Sequence, residues 1–354
     1  MTYFPDLNQE QQGREGSLPE STTPENVEEA ESLLADPGQE EGSHGSHASE
    51  DFSPFGNDLF GEPLRAVGES PVARKFIVAP FSVFNAREGD WQDRKRAWVG
   101  MGIESEVGRA ESLAYDLGKY ERGAKGAEGT SIFDPVLCEL LYRWFTRKGA
   151  LVVDPFAGGS VRGVIASQLG RQYLGCELRQ EQVDANRAQA KKLCLDLPPV
   201  YVQGDSMISL DDAPACDFVF SCPPYGDLEV YSDEEADLSN MEWHTFVAAY
   251  KRIILKAVKA LKPNRFAAFV VADFRDKKTG FYRDFVSTTI RGFVDAGCEL
   301  YNEAILVTAV GSAGLRVTRQ FNSGRKFCKT HQNILVFCKG DWRKAASWLN
   351  AETQ

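Results

Sequence analysis

From Thr130 onward, short apolar runs alternate with amphipathic stretches, and this alternation constrains the fold more than any other feature of the 354 residues. A helix is expected over 135–145, a strand over 150–154, a glycine turn, and a helix over 160–169. A strand over 172–177, a helix over 180–195 and strands over 200–204 and 218–221 follow. Then come a helix over 243–261, a strand over 266–273, a helix over 281–296, and strands over 303–310 and 333–338. Strands that alternate with helices predict an α/β fold with a mostly parallel, doubly wound sheet, seven-stranded by this reading. The last two strands, with no helix read between them, predict an antiparallel C-terminal hairpin at the sheet edge.

The chain upstream is of another character. Residues 1–52 are rich in Glu, Gly, Ser, Pro and Gln and poor in aromatics, so they bury too little to offset the entropy of ordering and are expected to be disordered. A solubilising tail is the simplest role, with DNA mimicry or a partner tether as the functional alternatives. Residues 53–129 form an N-terminal elaboration with a Gly-rich loop over 104–130. In it Phe76-Ile77-Val78 and Phe81-Ser82-Val83-Phe84 are expected as strands, and 90–98 as a helix with a basic face. Residues 130–342 are the expected catalytic domain and 343–354 a C-terminal tail.

Charge separates along the same boundary. The net charge is -11, yet residues 1–51 hold 13 acidic residues and one base, Arg14, so the remainder carries +1. A near-neutral body suits nucleic acid only if its bases cluster. No apolar run is long enough for a signal peptide or a membrane span, and the eight cysteines contain no C-x-x-C pair, so a zinc site is not expected. Free thiols in a reducing cytoplasm are the default expectation.

Two turns carry the chemistry. Val153-Asp154-Pro155-Phe156-Ala157-Gly158-Gly159-Ser160 lies where a strand meets a helix, the place where open α/β sheets bind ligands. Glu177 ends the next strand, 23 residues after Asp154, a spacing suited to holding a ribose hydroxyl pair. Gly204-Asp205-Ser206 closes the strand after that and suits an adenine amino group. Glycines at 158, 159 and 163 do not spell G-x-G-x-x-G, which argues against a dinucleotide. Tight strand–helix packing would explain the glycines but not acids at three successive strand ends.

The second turn is Phe220-Ser221-Cys222-Pro223-Pro224-Tyr225-Gly226. Consecutive prolines stiffen the backbone and delay the helix, which suits a carbonyl aimed at a substrate. Tyr225 offers a face for a flipped base. An exocyclic amino group is a poor nucleophile because its lone pair is delocalised. Acceptors at this turn can draw its hydrogens out of plane and localise that pair, with no covalent intermediate.

With these residues set out, the chain resembles the amino-group (N6-adenine or N4-cytosine) DNA methyltransferases, phage-encoded methylases among them. Asp154-Pro-Phe-Ala-Gly-Gly-Ser resembles their cofactor motif, and Cys222-Pro-Pro-Tyr their catalytic motif, usually Asp, Asn or Ser before Pro-Pro-Tyr. Thr130-Ser-Ile-Phe-Asp-Pro resembles the motif that touches the cofactor's methionine end, and Gln332-Asn-Ile-Leu-Val-Phe-Cys-Lys resembles the family's last strand. The resemblance covers about 130–340. It implies a Rossmann-like class I methyltransferase, with S-adenosylmethionine as cofactor and DNA as substrate. In a phage setting it also implies a bacterial cytoplasm and a restriction-modification context. The implied cofactor residues are Thr130, Ser131, Phe133, Asp154, Pro155, Phe156, Ala157, Gly158, Ser160, Glu177, Leu178, Asp205 and Ser206. The implied catalytic residues are Ser221, Cys222, Pro223, Pro224 and Tyr225.

Cys222 departs from the family pattern. A thiol is a weak acceptor, so either the Pro223 carbonyl carries the orientation or Ser221 shares it, and the target base stays open. Enzymes that methylate carbon 5 use a cysteine nucleophile, but their proline precedes the cysteine. An RNA methyltransferase, or a decayed methylase retained as a DNA-binding or anti-restriction protein, remains as an alternative. For DNA contact, Arg316, Arg319, Arg325, Lys326 and Lys329 fall in 14 residues with Phe321 and Phe327 among them, a composition suited to gripping phosphates. Arg94, Lys95 and Arg96, between Trp91 and Trp98, are a second candidate, although such tryptophans are more often core. Asp227, Glu229, Tyr231 and Asp233 are expected either to rim the base pocket or to form an exposed loop.

Overall fold

A computed structural model describes residues 71–104, 133–193, 195–226, 236–311 and 313–351. The expectations for the acidic N-terminal segment, for 105–130 and for 227–233 lie outside them, as do Thr130 and Ser131.

Eight strands form one sheet among the described residues: β1 (Val83–Asn85), β2 (Leu151–Asp154), β3 (Gln172–Glu177), β4 (Val200–Gln203), β5 (Cys216–Ser221), β6 (Leu261–Val271), β7 (Glu299–Val307) and β8 (His331–Lys339). Their order is β1-β7-β8-β6-β5-β2-β3-β4. Every neighbouring pair is parallel except β6–β8 and β7–β8, so β8 alone runs against the others. The sheet is therefore one strand larger than expected. The extra strand is β1, which pairs with β7 and makes β1, not the hairpin, the edge.

The central strands read as continuous apolar runs because both of their faces are covered. Successive side chains point to opposite faces, so Val152, Phe218, Phe220, Phe266, Ala268 and Val270 pack on one side. Val153, Val219, Ala267, Phe269 and Val271 pack on the other. The first face is covered by α3 (Pro135–Phe145), α4 (Val161–Gln168) and α5 (Gln180–Lys192). The second is covered by α7 (Trp243–Ala260) and α8 (Phe285–Asp295). The α3 helix starts where Asp134 accepts from Val136 N and Leu137 N, with proline at its first position. Among the described residues two further helices precede it, α1 (Pro71–Phe76) and α2 (Asp90–Gly100), and α6 (Ser206–Ser209) follows β4.

From β2 the chain winds outward through β3 to β4, then returns to lay β5 on the other flank of β2. This reversal makes the carboxyl ends of β2 and β5 the topological switch point, where a crevice forms between the diverging loops.

Several local expectations change. Phe76 ends a helix rather than opening a strand, and Ile77 takes a φ of 73° that breaks any strand there. The basic face of α2 is not free. Arg94 is buried against Glu139, with Nη2 2.7 Å from Oε1, and Trp98 Nε1 donates to the same carboxylate at 2.8 Å. Trp91 and Trp98 are core, so Arg94 cannot reach a ligand. The segment between β7 and β8, expected as a loop, contains α9 (Ala313–Gly324). Residues 343–354, expected as a tail, lie largely in α10 (Trp342–Asn350), which Asp341 caps and which buries Ala345 against the sheet. Among the described residues no helix is long and apolar enough to cross a membrane, and no cluster of three His, Cys, Asp or Glu residues is placed to hold a metal ion.

Candidate functional site

The two turns meet at one buried carboxylate. Asp154 ends β2 with no exposed surface. Its Oδ1 accepts from Phe156 N at 3.0 Å and from the Ser221 hydroxyl at 2.5 Å. Its Oδ2 accepts from Arg162 Nε at 2.6 Å and from the Tyr173 hydroxyl at 2.7 Å. Asp154 therefore shapes the turn from beneath. Burying a charge is tolerable here because a partner charge and hydrogen bonds engage both oxygens.

Arg162 is the site residue that the sequence reading missed. Its Nη2 donates to Phe156 O at 2.6 Å and to Ala157 O at 2.9 Å, and its guanidinium lies 4.7 Å from the Phe133 ring centroid. It thus fastens the cofactor turn to the segment before α3. The only signal for it was an arginine in the first turn of a mostly apolar helix, a position where a charge needs a buried partner.

Above this base the turn opens outward. Gly158 has a φ of 51°, and a Cβ built there would meet nothing within 4 Å, so the backbone borders open space. Close beneath, a Cβ on Gly175 would come within 2.8 Å of the Ala157 Cβ, so only glycine lets β3 pass under the turn. Glu177, half-buried, holds the rim: Oε2 accepts from Gly158 N at 2.9 Å and Oε1 from Arg179 N at 3.0 Å. Burial raises its carboxyl above the usual range, and these backbone bonds partly offset the rise. Asp205 caps α6 by accepting from Met207 N at 2.8 Å, and Ser206 donates to Pro155 O at 2.5 Å. The strand ends carrying Asp154, Glu177 and Asp205 are thus tied to one another. Ser160 is buried and donates to Gln189, while the Leu178 carbonyl accepts from Gln203 Nε2 at 2.9 Å. Open space at Gly158 beside an acceptor carboxylate fits an adenosine-bearing cofactor.

The Pro-Pro-Tyr turn leaves β5 at the neighbouring strand end. Ser221 is wholly buried and its hydroxyl faces Asp154, so sharing the orientation of a substrate is not open to it. Pro223 is buried, whereas Cys222, Pro224 and Tyr225 are half-buried. The Tyr225 ring is held edge-on by Phe274 and Phe285, with centroids 6.1 and 5.8 Å away. Its hydroxyl accepts from Gln332 Nε2 at 2.9 Å, so β8 reaches across to steady it.

The basic residues lie on α9 and just after it. Arg316 and Arg319 are exposed on α9. Arg325 follows with a φ of 52° and covers the Phe321 ring at 5.1 Å. Lys326 is half-buried beside Gly280.

Residues 112–190 match the family model for N6/N4 methyltransferases, DNA methylase. No curated protein matches the sequence. Among solved structures, TrmN from Thermus thermophilus is similar at 14% identity over 70% of this chain, with a TM-score of 0.42. The similarity takes in 53% of the TrmN chain, so the present chain spans about half of that protein. The precorrin-6y C5,15-methyltransferase of Geobacter metallireducens GS-15 is similar at 15% identity, over 66% of this chain and 100% of that one, with a TM-score of 0.38. These likenesses are too distant to speak of substrate. The family match takes in the Asp154 turn and the acid that ends β3, the same segment whose motif resembles the amino-group DNA methyltransferases.

Proposed function

We propose that this chain transfers a methyl group from S-adenosylmethionine to the exocyclic amino group of adenine or cytosine in DNA, acting on a base turned out of the duplex. The observation that carries the proposal is the junction at Asp154, which fastens a cofactor turn and a Pro-Pro-Tyr turn side by side at the switch point. When bound, the cofactor supplies an electrophilic methyl group. Glu177 accepts from its ribose hydroxyls, Asp205 from its adenine amino group, and the backbone at Gly158 lies along it. Tyr225 stacks the target base. The Pro223 carbonyl draws on the amino hydrogens and frees the nitrogen lone pair, a task in which the Cys222 thiol is a minor acceptor. Residues 130–342 form the catalytic domain in this reading, and Arg316, Arg319, Arg325 and Lys326 grip the phosphates.

The test is to incubate the purified full chain with S-adenosylmethionine and unmethylated DNA, digest to nucleosides and analyse by mass spectrometry. An N6-methyladenine or N4-methylcytosine product is expected and would settle the base. Product on RNA alone would move the substrate to RNA, and product on neither would overturn the proposal.

Glu177 adds a pH signature. Ribose hydroxyls donate better to the ionised carboxylate, so cofactor affinity should fall as the pH drops through its raised pKa. Without cofactor the sign for stability is opposite. The raised pKa favours the protonated fold, so this contribution is full below the ordinary carboxylate value and is lost as pH rises through the raised one. Titration calorimetry across the acid range should show both the trend and its loss in Glu177→Gln. That variant should also bind about tenfold more weakly, the scale of a charged hydrogen bond.

A further inference from the structure

A braced hairpin follows β6, outside both turns. Between Phe274 and Arg283 the chain doubles back through an antiparallel bridge of Arg275 with Tyr282. Asp276 N donates to Phe281 O at 2.9 Å, and Gly280 N to Asp276 O at 2.9 Å. The Asp276 carboxylate accepts from Lys278 N at 2.8 Å and Thr279 N at 2.6 Å, and it pairs with Arg283 at 2.6 Å. Arg275 covers the Tyr282 ring at 4.0 Å and donates to Gly280 O at 3.1 Å. These bonds hold the hairpin in one shape, yet it carries Phe281 at 77% exposure and Tyr282 at 46%. Packing within the chain does not account for a large apolar ring fixed in solvent.

The hairpin's root and tip each touch a part of the proposed DNA surface. At the root, Phe274 is the edge-on neighbour of Tyr225, and Arg283 lies 5.0 Å from the Trp243 ring. At the tip, Lys326 Nζ lies 2.6 Å from where a Cβ on Gly280 would stand. Beyond that corner Phe321 and Phe327 stack with centroids 6.1 Å apart, Phe327 at 75% exposure. The hairpin has Arg275, Lys277, Lys278 and Arg283 against the single carboxylate of Asp276, and residues 313–329 have five cations and no acid. A continuous strip of cations and exposed rings therefore runs outward from the tyrosine. Its chemistry is complementary to a polyanion with stacked, apolar interiors, which is duplex nucleic acid.

We propose that the 274–283 hairpin inserts Phe281 into duplex DNA, filling the gap left by the base held at Tyr225, while Lys278 and Lys326 contact the flanking phosphates. The inference rests on the DNA reading above. Extruding a base leaves its neighbours unstacked, and an apolar wedge between base steps repairs part of that loss. Phe281 fits the role better than Phe327 because its hairpin is anchored on a ring that supports Tyr225. On single strands there is no duplex to open, so the wedge has no work there.

The experiment compares wild type, Phe281→Ala and Phe281→Trp on genomic DNA, native and heat-denatured, scored by nucleoside mass spectrometry. Thermal unfolding and cofactor affinity are measured on each protein. Phe281→Ala should lose about tenfold in initial rate on duplex, the scale of one lost base–aromatic stack. It should match wild type on denatured DNA and keep its unfolding midpoint and cofactor affinity. Phe281→Trp should restore the duplex rate. An unchanged duplex rate, or an equal loss on both forms of DNA, would overturn the wedge while leaving the methyltransferase reading intact. A wild type with no product on either form would overturn both.

Discussion

Tyr225→Ala should lower the rate of DNA methylation by about a hundredfold, within the 1–3 kcal/mol that one base–aromatic stack contributes. Cofactor affinity should hold, because Phe274, Phe285 and Gln332 hold the Tyr225 ring, while Glu177 and Gly158 form the rim. Tyr225→Phe separates stacking from hydrogen bonding. It keeps the ring and loses the Gln332 contact, so about a fivefold loss is expected, the scale of one neutral hydrogen bond. Methylation kinetics beside calorimetric cofactor titration check both variants. A parallel loss of cofactor affinity in Tyr225→Ala would remove the tyrosine from the base pocket.

The second large effect concerns stability. Asp154→Ala should destabilise the fold by about 3–5 kcal/mol, because it leaves the Arg162 guanidinium buried without its charge partner. It also leaves the Tyr173 and Ser221 hydroxyls without their acceptor. Denaturant unfolding at neutral pH measures the change. Adding Arg162→Met to Asp154→Ala removes the orphaned charge and should recover a good part of the loss. A double variant no more stable than Asp154→Ala alone would show that the bonds to the turn, and not the charge pair, carry the cost.

The sheet was legible because buried parallel strands announce themselves as apolar runs. Phe218, Val219 and Phe220 could hardly be placed elsewhere. A strand was expected over 81–84, but its place at the edge of this sheet was not legible, because only three residues form β1 and only Phe84 among them is buried. The helix α9 was missed because its described side chains are almost all exposed, so no core position marks it, and its glycines and basic residues read equally well as a loop. In the site, the motif residues Asp154, Glu177 and Ser221 do lie at the ends of β2, β3 and β5, as the spacing predicts. The bonding between them was not legible: that Ser221 turns inward, that Arg162 holds the turn and that Gln332 reaches Tyr225 are contacts across 67, 8 and 107 residues. No local pattern encodes such pairings.

The bond from Ser221 to Asp154 also has a thermodynamic consequence. One carboxylate lies beneath both turns, so whatever settles the cofactor turn also biases the geometry offered to the base. Linkage is reciprocal: if the cofactor tightens DNA binding by some factor, DNA tightens cofactor binding by the same factor. On the proposed function, departure of either the methylated product or the spent cofactor would then loosen the other, and Ser221→Ala, which removes the bond to Asp154, should weaken that coupling.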